Sequence, residues 1–343
     1  MITISVCMIV KNEERVLARC LDSLRGLADE IIIVDTGSTD ATKQIAAGYT
    51  DKIYDFEWIH DFSAARNFSF SKAVMDYIYV ADADEVIDEE NRQLFLLLKQ
   101  GLLPEIEIVQ MKYANQLDHN TTYNFDMEYR PKLYKRLRTF HWVEPVHENV
   151  NLAPVVYDSD IVIQHMPESN HAKRDFGTFQ RAIAREGKLS SKLYIMYARE
   201  LYIAGEAADF EEAYEYFSGF AEQEECSERE RKIYECILAR CCRLYGDFPA
   251  FMKFCLHNIA DGKASAEVCY ELGEYYKELG DYKEAIIWFY NAAYETECEL
   301  NIHYAGDYPL KQLASCYGEL GDKEQEEAFR ALYEEWSLED RGR

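Results

Sequence analysis

Apolar positions divide the chain into a first part with strand and helix patterns and a second part with helix patterns alone. In the first hundred residues, short apolar runs predict buried strands, and apolar residues at helical spacing follow each run. This alternation predicts a mostly parallel sheet covered by helices, with right-handed crossovers. The predicted strands are residues 2–10, 31–34, 52–56 and 77–81. The predicted helices are residues 16–24, 38–47, 63–75 and 89–99, with Ser38 or Thr39 capping the second and Ser63 capping the third.

Extended patterns continue between residues 105 and 165 without helical patterns between them. The predicted strands here are residues 106–113, 123–129, 132–136, 140–143 and 160–164, and the first two are joined around residues 118–121. Since hairpin-like connections favour antiparallel pairing, we expect an antiparallel extension of the parallel sheet.

After about residue 169 the sequence predicts amphipathic helices with an internal repeat. Gly246-Asp247 and Gly280-Asp281 are 34 residues apart, Gly321-Asp322 follows 41 residues later, and residues 208–213 look like an earlier copy. This spacing resembles the tetratricopeptide repeat, whose copies stack into a solenoid with a concave face. A plain helical bundle is the alternative. The predicted domains are residues 1–168 and 169–343.

Charge and cysteine usage narrow the class of protein. The net charge is −26, from 63 acidic and 37 basic side chains, which disfavours nucleic acid and anionic membranes as partners. Basic or neutral partners are favoured, although an ordinary acidic surface is the alternative. We expect neither a signal peptide nor a membrane span. The ten cysteines contain no C-x-x-C pair, so we predict reduced thiols and a cytoplasmic protein.

Polar clusters follow three of the predicted strands, at residues 11–13, 35–40 and 82–85. Ligands of parallel sheets bind beyond the carboxyl ends of the strands, so these clusters predict one shared site. Asp82 and Asp84 can bind Mg²⁺ or Mn²⁺ and leave coordination positions for phosphate oxygens. For this pair alone, solvated charges at a helix start are the alternative.

Four segments in order, residues 10–14, 34–40, 62–67 and 82–85, resemble the inverting family 2 glycosyltransferases of the GT-A fold. The resemblance covers about residues 2–165. It implies an α/β GT-A catalytic domain with a Rossmann-like mixed sheet, followed by the all-α repeat domain. It also implies a UDP-sugar donor, with UDP-glucose or UDP-N-acetylglucosamine expected first, and Mn²⁺ or Mg²⁺ as cofactor.

The resemblance implies roles for individual residues. Asp35 would read the base, Arg66 would approach the base or the diphosphate, and Asp82 would contact the ribose or a water on the metal. The expected donor-binding residues are Val10, Asn12, Glu13, Asp35, Gly37, Ser38, Arg66, Asp82 and Ala83. The expected metal ligands are Asp82, Asp84 and His165, which ends the last predicted strand. A surface ion pair for Arg66 and a structural role for His165 are the alternatives.

Residues 142–148 resemble the W-x-G-x-V-H-E segment of this family, with Glu144-Pro145 where glycine is common. An inverting transferase needs a carboxylate to deprotonate the acceptor. Glu148 is the first candidate and Glu144 the second, and His147 joins them as an expected catalytic residue. A structural hydrogen-bonded pair of His147 and Glu148 is the alternative.

Transferases coupled to such repeats resemble peptide and protein glycosyltransferases of the sublancin S-glycosyltransferase type, which modify a cysteine of a bacteriocin precursor. We therefore expect a peptide or protein acceptor docked by the repeats, and the repeats could also mediate a homodimer. Related transferases act on lipopolysaccharide or capsular saccharides, which is one alternative; a repeat scaffold with an inactive transferase domain is another. A nucleotidyltransferase is disfavoured because no glycine-rich phosphate loop follows the first strand.

Overall fold

The computed structural model describes residues 1–114, 127–150, 152–166, 172–221, 226–260 and 262–336. The chain divides into two compact units, Met1–His171 and Ala172–Arg343. The predicted boundary between residues 168 and 169 falls within residues 167–171, which lie outside the described residues.

The first unit is built on one mixed sheet. Its strands are β1 (Ile4–Val10), β2 (Glu30–Asp35), β3 (Ile53–Asp55), β4 (Tyr77–Val80), β5 (Glu85–Val86), β6 (Ile108–Ala114), β7 (Glu128–Lys135), β8 (Trp142–Val143), β9 (Asn149–Val150) and β10 (Val156–His165). Its helices are α1 (Leu17–Ser23), α2 (Thr42–Ala46), α3 (Phe62–Phe70) and α4 (Glu89–Gly101). Eight strands pair in the order β3-β2-β1-β4-β7-β6-β10-β5, while β8 and β9 form a separate pair.

The parallel part of the sheet is confirmed: β3, β2, β1 and β4 are parallel neighbours. β1, β2 and β4 are mostly buried and apolar because both faces of the sheet are covered there, whereas the edge strand β3 is partly exposed. On one face the core joins strand residues to α1 and α4, for example Met8 to Leu21 and Phe95. On the other face Cys7 and Ile78 pack with Phe68 and Phe70 of α3.

The predicted antiparallel extension is correct for one strand and wrong for another. β7 pairs antiparallel with both β4 and β6, but β10 pairs parallel with β6. The predicted connection at residues 118–121 lies outside the described residues. Glu85 and Val86, for which the sequence predicted no strand, form the short strand β5 and pair antiparallel with His165 and Gln164. This pairing brings the residues after β4 to the end of β10.

Both predicted helix caps are wrong. The residues predicted as caps make other hydrogen bonds, and the two helices begin at other positions. The helix after β3 begins at Phe62, and Asp61 accepts the hydrogen bond from Ala64 N. Ser63 instead donates to Asp61. The helix after β2 begins only at Thr42, since Ser38 and Thr39 are engaged with Asn12 in the loop after β1.

The described residues of the second unit form helices and no strand, apart from an isolated β-bridge between Ser265 and Glu297. Its helices are α5 (Ala172–Glu186), α6 (Ser191–Ala204), α7 (Ala207–Ala221), α8 (Glu228–Tyr245), α9 (Phe248–Ala260), α10 (Ala266–Glu278), α11 (Tyr282–Tyr290), α12 (Asp307–Glu319) and α13 (Lys323–Glu335). A π-helix, Asn291–Glu295, continues α11, and a 3-10 turn, Ile302–Ala305, precedes α12. Consecutive helices pack as pairs, which confirms the helical-repeat architecture.

The repeated Gly-Asp dipeptide has a physical cause. Gly246, Gly280 and Gly321 have φ of 74°, 76° and 79°, a left-handed conformation that glycine adopts without steric cost. The aspartate after each accepts a hydrogen bond from the backbone N–H three residues later, which begins the next helix. The predicted earlier copy at residues 208–213 differs, because it lies inside α7 and has no such glycine turn.

The connection between α11 and α12 lies across the first helices of the pairs. Tyr304 is buried, and its ring contacts Tyr202 of α6, Tyr270 of α10 and Tyr308 of α12 at centroid distances of 5.0, 4.9 and 5.3 Å. Its hydroxyl accepts a hydrogen bond from Arg240 of α8. One side chain therefore joins four helices of the repeat unit.

Across the part of the chain that the structure describes, no helix has the length and apolar character needed to cross a membrane.

Gly273 is the point of close approach between α10 and α11. A Cβ at this position would lie 2.5 Å from the buried ring of Phe289. We expect Gly273→Ala to lower the free energy of unfolding by about 1–3 kcal/mol, because the ring must move in a packed core. Urea unfolding of the whole chain measures this effect.

Gly219→Ala is the matched control, since Gly219 is also helical but nothing lies within 4 Å of the Cβ it lacks. There we expect no loss, or a gain of up to about 1 kcal/mol from the helix propensity of alanine. Equal effects at the two positions would contradict the packing argument.

Candidate functional site

The loops after β1 and β2 are joined by side chains that the sequence predicted to lie together. The strands are in register with Val10 beside Asp35, so the two loops leave the sheet side by side. Asn12 donates its backbone N–H to Ser38 Oγ at 2.9 Å, and its Oδ1 accepts from Thr39 N at 2.8 Å. Glu13 N donates to Thr42 Oγ1 at 2.7 Å. These bonds fix one wall of a site at the carboxyl edge of the sheet.

Asp35 is 1% exposed, and its two carboxylate oxygens have different environments. Oδ1 accepts from Gly37 N at 3.0 Å and from Ser38 N at 2.9 Å, and Gly37 has a φ of 100° that glycine permits. Oδ2 is buried and has no hydrogen-bond partner among the described residues. Since an unsatisfied buried carboxylate oxygen is costly, it suits a ligand N–H.

Val10 and Ala83 lie at this edge, but their side chains are part of the hydrophobic core. Val10 presents its carbonyl, which accepts from Thr36 N at 3.0 Å. Any role for these two residues at the site therefore depends on their backbone groups.

Arg66 joins two other predicted site residues. Its Nε donates to Glu148 Oε1 at 2.6 Å and its Nη2 to Asp82 Oδ1 at 3.2 Å. The guanidinium also lies 5.4 Å from the centre of the Trp142 ring. Burial opposes the charged form of Arg66, but Glu148 and then Asp82 raise its pKa above the ordinary value. The structure thus brings α3, the end of β4 and the segment after β8 to one point.

Asp82 lies between two cations. Lys132 Nζ is 3.9 Å from Asp82 Oδ2, on the other side from Arg66. Burial alone would raise the pKa of Asp82, but Arg66 and Lys132 hold it below the ordinary range. Asp82 is therefore ionised at neutral pH.

Lys132 also pairs with Glu85 at 2.6 Å, and the two side chains are 4% and 2% exposed. Burial raises the pKa of Glu85 to about 7, against the opposing effect of Lys132. Sequence reasoning missed this pair, because the two residues are 47 positions apart and only strand pairing brings them together.

Asp84 and His165 face each other. His165 Nε2 is 3.2 Å from Asp84 Oδ2, and Met166 N donates to the Asp84 carbonyl at 2.9 Å. The imidazole also packs on Tyr113, with ring centroids 5.0 Å apart. Two neighbouring ligands of an octahedral Mg²⁺, each about 2.1 Å from the ion, lie about 3 Å apart, so this spacing fits two ligands of one ion.

Asp82 faces Arg66 and Lys132, whereas Asp84 faces His165. Over the described ranges, no three His, Cys, Asp or Glu side chains form a group that could hold a metal ion. A metal at Asp84 and His165 would thus need further ligands from bound phosphate or water.

The segment after β8 has an unusual backbone. Glu144 has a φ of 74° and His147 a φ of 49°, both in the left-handed region. Glu144 stands at the glycine position of the W-x-G-x-V-H-E segment, and its positive φ is a strained conformation for a glutamate. Phe62 N donates to the Pro145 carbonyl at 2.9 Å, which ties this segment to α3 and holds Glu148 beside Arg66.

Two substitutions of Glu144 distinguish the effect of backbone strain on stability from the effect of losing the carboxylate. Both Glu144→Gly and Glu144→Ala remove the carboxylate, but only glycine accepts the positive φ without strain. We expect the glycine variant to be more stable than the alanine variant by about 1 kcal/mol in urea unfolding. Equal stabilities of the two variants would show that the positive φ at residue 144 costs nothing.

Residues 5–151 match the profile of the family described as Glycosyl transferase family 2. The chain is 38% identical over 92 residues to the prophage-derived glycosyltransferase SunS of Bacillus subtilis, which is 26% of this chain and 22% of that protein. It is 47% identical over 85 residues to a TPR repeat-containing protein of Synechococcus elongatus, covering 25% and 21% of the two chains. It is also 26% identical over 171 residues to the lipopolysaccharide core biosynthesis glycosyltransferase LpsC of Rhizobium meliloti, covering 49% and 58%. The chain thus spans less than two thirds of each of these relatives.

Among solved structures, glucosyl-3-phosphoglycerate synthase from Mycobacterium tuberculosis in complex with Mn²⁺ and UDP-glucose aligns with 15% identity and a TM-score of 0.39. The alignment covers 55% of this chain and 81% of that one, and a likeness this low supports no conclusion about ligands. The family profile and the mixed sheet with its acidic carboxyl edge identify residues 5–151 as a glycosyltransferase family 2 domain with the GT-A fold.

Proposed function

We propose that this protein is a metal-dependent inverting glycosyltransferase that moves a sugar from a UDP-sugar to a peptide or protein acceptor. The observation that carries the proposal is the contact of Arg66 with both Asp82 and Glu148, next to the pair Asp84 and His165. If residues 5–151 act as family 2 transferases do, a cation, a candidate metal-binding pair and a candidate base would lie at one edge of the sheet, which supports the proposal.

The donor nucleotide is proposed to bind along the loops after β1 and β2. The buried Oδ2 of Asp35 would accept the N–H of a uracil, which supports a UDP-sugar such as UDP-glucose or UDP-N-acetylglucosamine. Asn12, Glu13, Gly37 and Ser38 would form the wall of the nucleoside pocket, since their backbone groups are already fixed there.

The metal, Mn²⁺ or Mg²⁺, is proposed to be held by Asp84 and His165. It would offset the negative charge that develops on the departing diphosphate. Asp82, with Arg66 and Lys132 beside its two oxygens, would contact the ribose or a water on the metal more readily than the ion itself. Arg66 would contact the diphosphate, for which a planar guanidinium is suited.

Glu148 is proposed as the base that deprotonates the acceptor. One of its oxygens accepts from Arg66 Nε, which fixes the carboxylate at the site. Glu144 remains the second candidate and His147 a neighbouring one, although the positive φ of both residues supports a role in shaping the segment.

A peptide or protein acceptor is supported by the helical-repeat unit and by the acidic surface of the chain. A groove of about 700 Å³ lies among α5, α6, α7 and α8, with lining residues that include Glu212, Glu215, Tyr216, Phe220 and Glu230. Aromatic anchors and carboxylates suit a basic peptide segment. Tyr304 already fills the middle of the face formed by the first helices, so we place the acceptor in this groove instead. A homodimer through the repeats and a cytoplasmic location remain predictions.

A lipopolysaccharide or capsular saccharide acceptor is the second candidate. The match to LpsC favours it, because that match covers 49% of this chain, more than either the SunS or the TPR-protein match. Transfer to a basic peptide and not to a saccharide would decide between the two.

The donor reaction tests the core of the proposal. We expect slow release of UDP from UDP-glucose or UDP-N-acetylglucosamine with Mn²⁺, and loss of this release with EDTA. Asp84→Ala is expected to lower the rate on the order of 100-fold, since a metal supplies several kcal/mol to the transition state. The control is Asp158→Ala, because Asp158 is an exposed acid on β10, about 23 Å along the strand from His165. A UDP-sugar that is neither bound nor cleaved would refute the proposal.

The choice of base is tested separately from donor binding. Glu148→Gln is expected to lower the rate of UDP release on the order of 100-fold while UDP still raises the thermal stability of the protein. Glu144→Gln is expected to change the rate less than about threefold, because amide and carboxylate occupy the same strained backbone. If the two variants exchange these results, Glu144 is the base.

A further inference from the structure

Lys132 and Glu85 form a buried ion pair that no step of the proposed reaction uses directly. The distance between Nζ and Oε1 is 2.6 Å, and the Lys132 ammonium lies 5.8 and 5.7 Å from the ring centres of Tyr79 and Tyr113. Because removing two charges from water costs several kcal/mol per ion, such a pair is weak evidence for stability alone. Its position next to Asp82 and Asp84 points to another purpose.

Glu85 closes the turn that contains both aspartates. Its Oε2 accepts from Asp82 N at 3.2 Å, and its own backbone N–H donates to the Asp82 carbonyl at 3.2 Å. Glu85 also pairs with His165 across β5 and β10. The Glu85 carboxylate, which pairs with Lys132, therefore accepts a hydrogen bond from Asp82, the first residue of the turn. The Glu85 backbone pairs with that of His165, whose side chain faces Asp84.

The pairing of β7 with β6 is irregular at Lys132. Leu133 pairs with Val109, whereas Pro131 pairs with the next residue, Gln110, so Lys132 is the extra residue of a β-bulge. Bulges turn a side chain out of the regular alternation and are frequent beside active sites. Pro131 fits here because it has no N–H to donate to the ladder. The bulge lies just beyond the part of β7 that pairs with β4.

Lys132 does not serve as a donor-binding cation. Its side chain is 4% exposed and its ammonium is engaged with Glu85, whereas Arg66 bonds the other oxygen of Asp82. Resting on the function proposed above, we propose that Lys132 and Glu85 are positioning residues that hold the turn of residues 82–85 in the orientation that binds metal and diphosphate.

Lys132→Met removes the charge and keeps an unbranched side chain of similar length. We expect the Mn²⁺ concentration for half-maximal UDP release to rise on the order of 10-fold, and kcat to fall by a similar factor, as is usual when a residue that orients a metal ligand is lost. The affinity for Mn²⁺ and UDP together, measured by calorimetry, is expected to fall in parallel.

Lys99→Met is the matched control. Lys99 is 5% exposed and pairs with Asp29 at 2.5 Å, so it is also a buried lysine with a carboxylate partner. That pair lies at the opposite edge of the sheet, where Asp29 Oδ2 accepts from Ile4 N at the start of β1. We expect this variant to lose stability but to keep the Mn²⁺ dependence and the kcat of the folded protein.

Lys132→Met with unchanged Mn²⁺ dependence, or equal changes in the two lysine variants, would overturn the proposal. If Lys132→Met does not fold, Glu85→Gln serves instead, because it keeps the shape of the side chain and weakens the pair; an unchanged Mn²⁺ dependence there has the same meaning. If the wild-type protein binds Mn²⁺ and UDP but neither binds nor cleaves a UDP-sugar, the proposed transferase function fails, and the calorimetric comparison still decides the positioning role. A wild-type protein that binds neither overturns both.

Discussion

Four carboxylates, Asp82, Asp84, Glu85 and Glu148, converge at the carboxyl edge of the sheet, and their mutual repulsion has to be offset before any ligand arrives. Two like charges about 4 Å apart repel by about 4 kcal/mol at an effective dielectric constant of 20. Arg66 and Lys132 supply the compensating charge, each in contact with two of the four. The site can therefore be built from acids in a chain of net charge −26 without an ion already bound.

The two cations do not contact all four acids, so the acids have different surroundings. Asp82 and Glu148 are bound to Arg66, and Glu85 to Lys132, so Asp84 is the acid that has neither cation as a bonded partner. Its neighbour is His165, whose imidazole is a metal ligand when neutral. The two aspartates of one short motif thus have different surroundings.

Local sequence identified the residues whose position follows from a single strand. Asp35 is the last residue of β2 and Asp82 lies two residues after the end of β4, so their place at one edge could be predicted from the strand pattern. The pair of Asp84 and His165 could be predicted only in part, because it depends on β5, a strand of two residues. Lys132 depends on a bulge between β6 and β7; Pro131 is compatible with such an irregularity, but the sequence does not show which distant carboxylate it brings Lys132 to.

The helical repeats show the same division between local and long-range causes. The glycine turns were visible in the sequence because each requires a positive φ that favours one residue type. The interval of 41 residues before Gly321 is longer than the interval of 34 before Gly280, but it did not indicate that Tyr304 would contact four helices.

The contact between Arg66 and Glu148 sets a condition on the order of events at the site. One oxygen of Glu148 accepts a hydrogen bond from Arg66 Nε at 2.6 Å, so the guanidinium fixes the position of this carboxylate. A bound diphosphate would compete with Glu148 for the same guanidinium, because both are anions and Arg66 has a fixed set of donors. If Glu148 is the base, the donor would thus release it from Arg66 as it binds. The carboxylate could then turn toward an acceptor only once the sugar is in place.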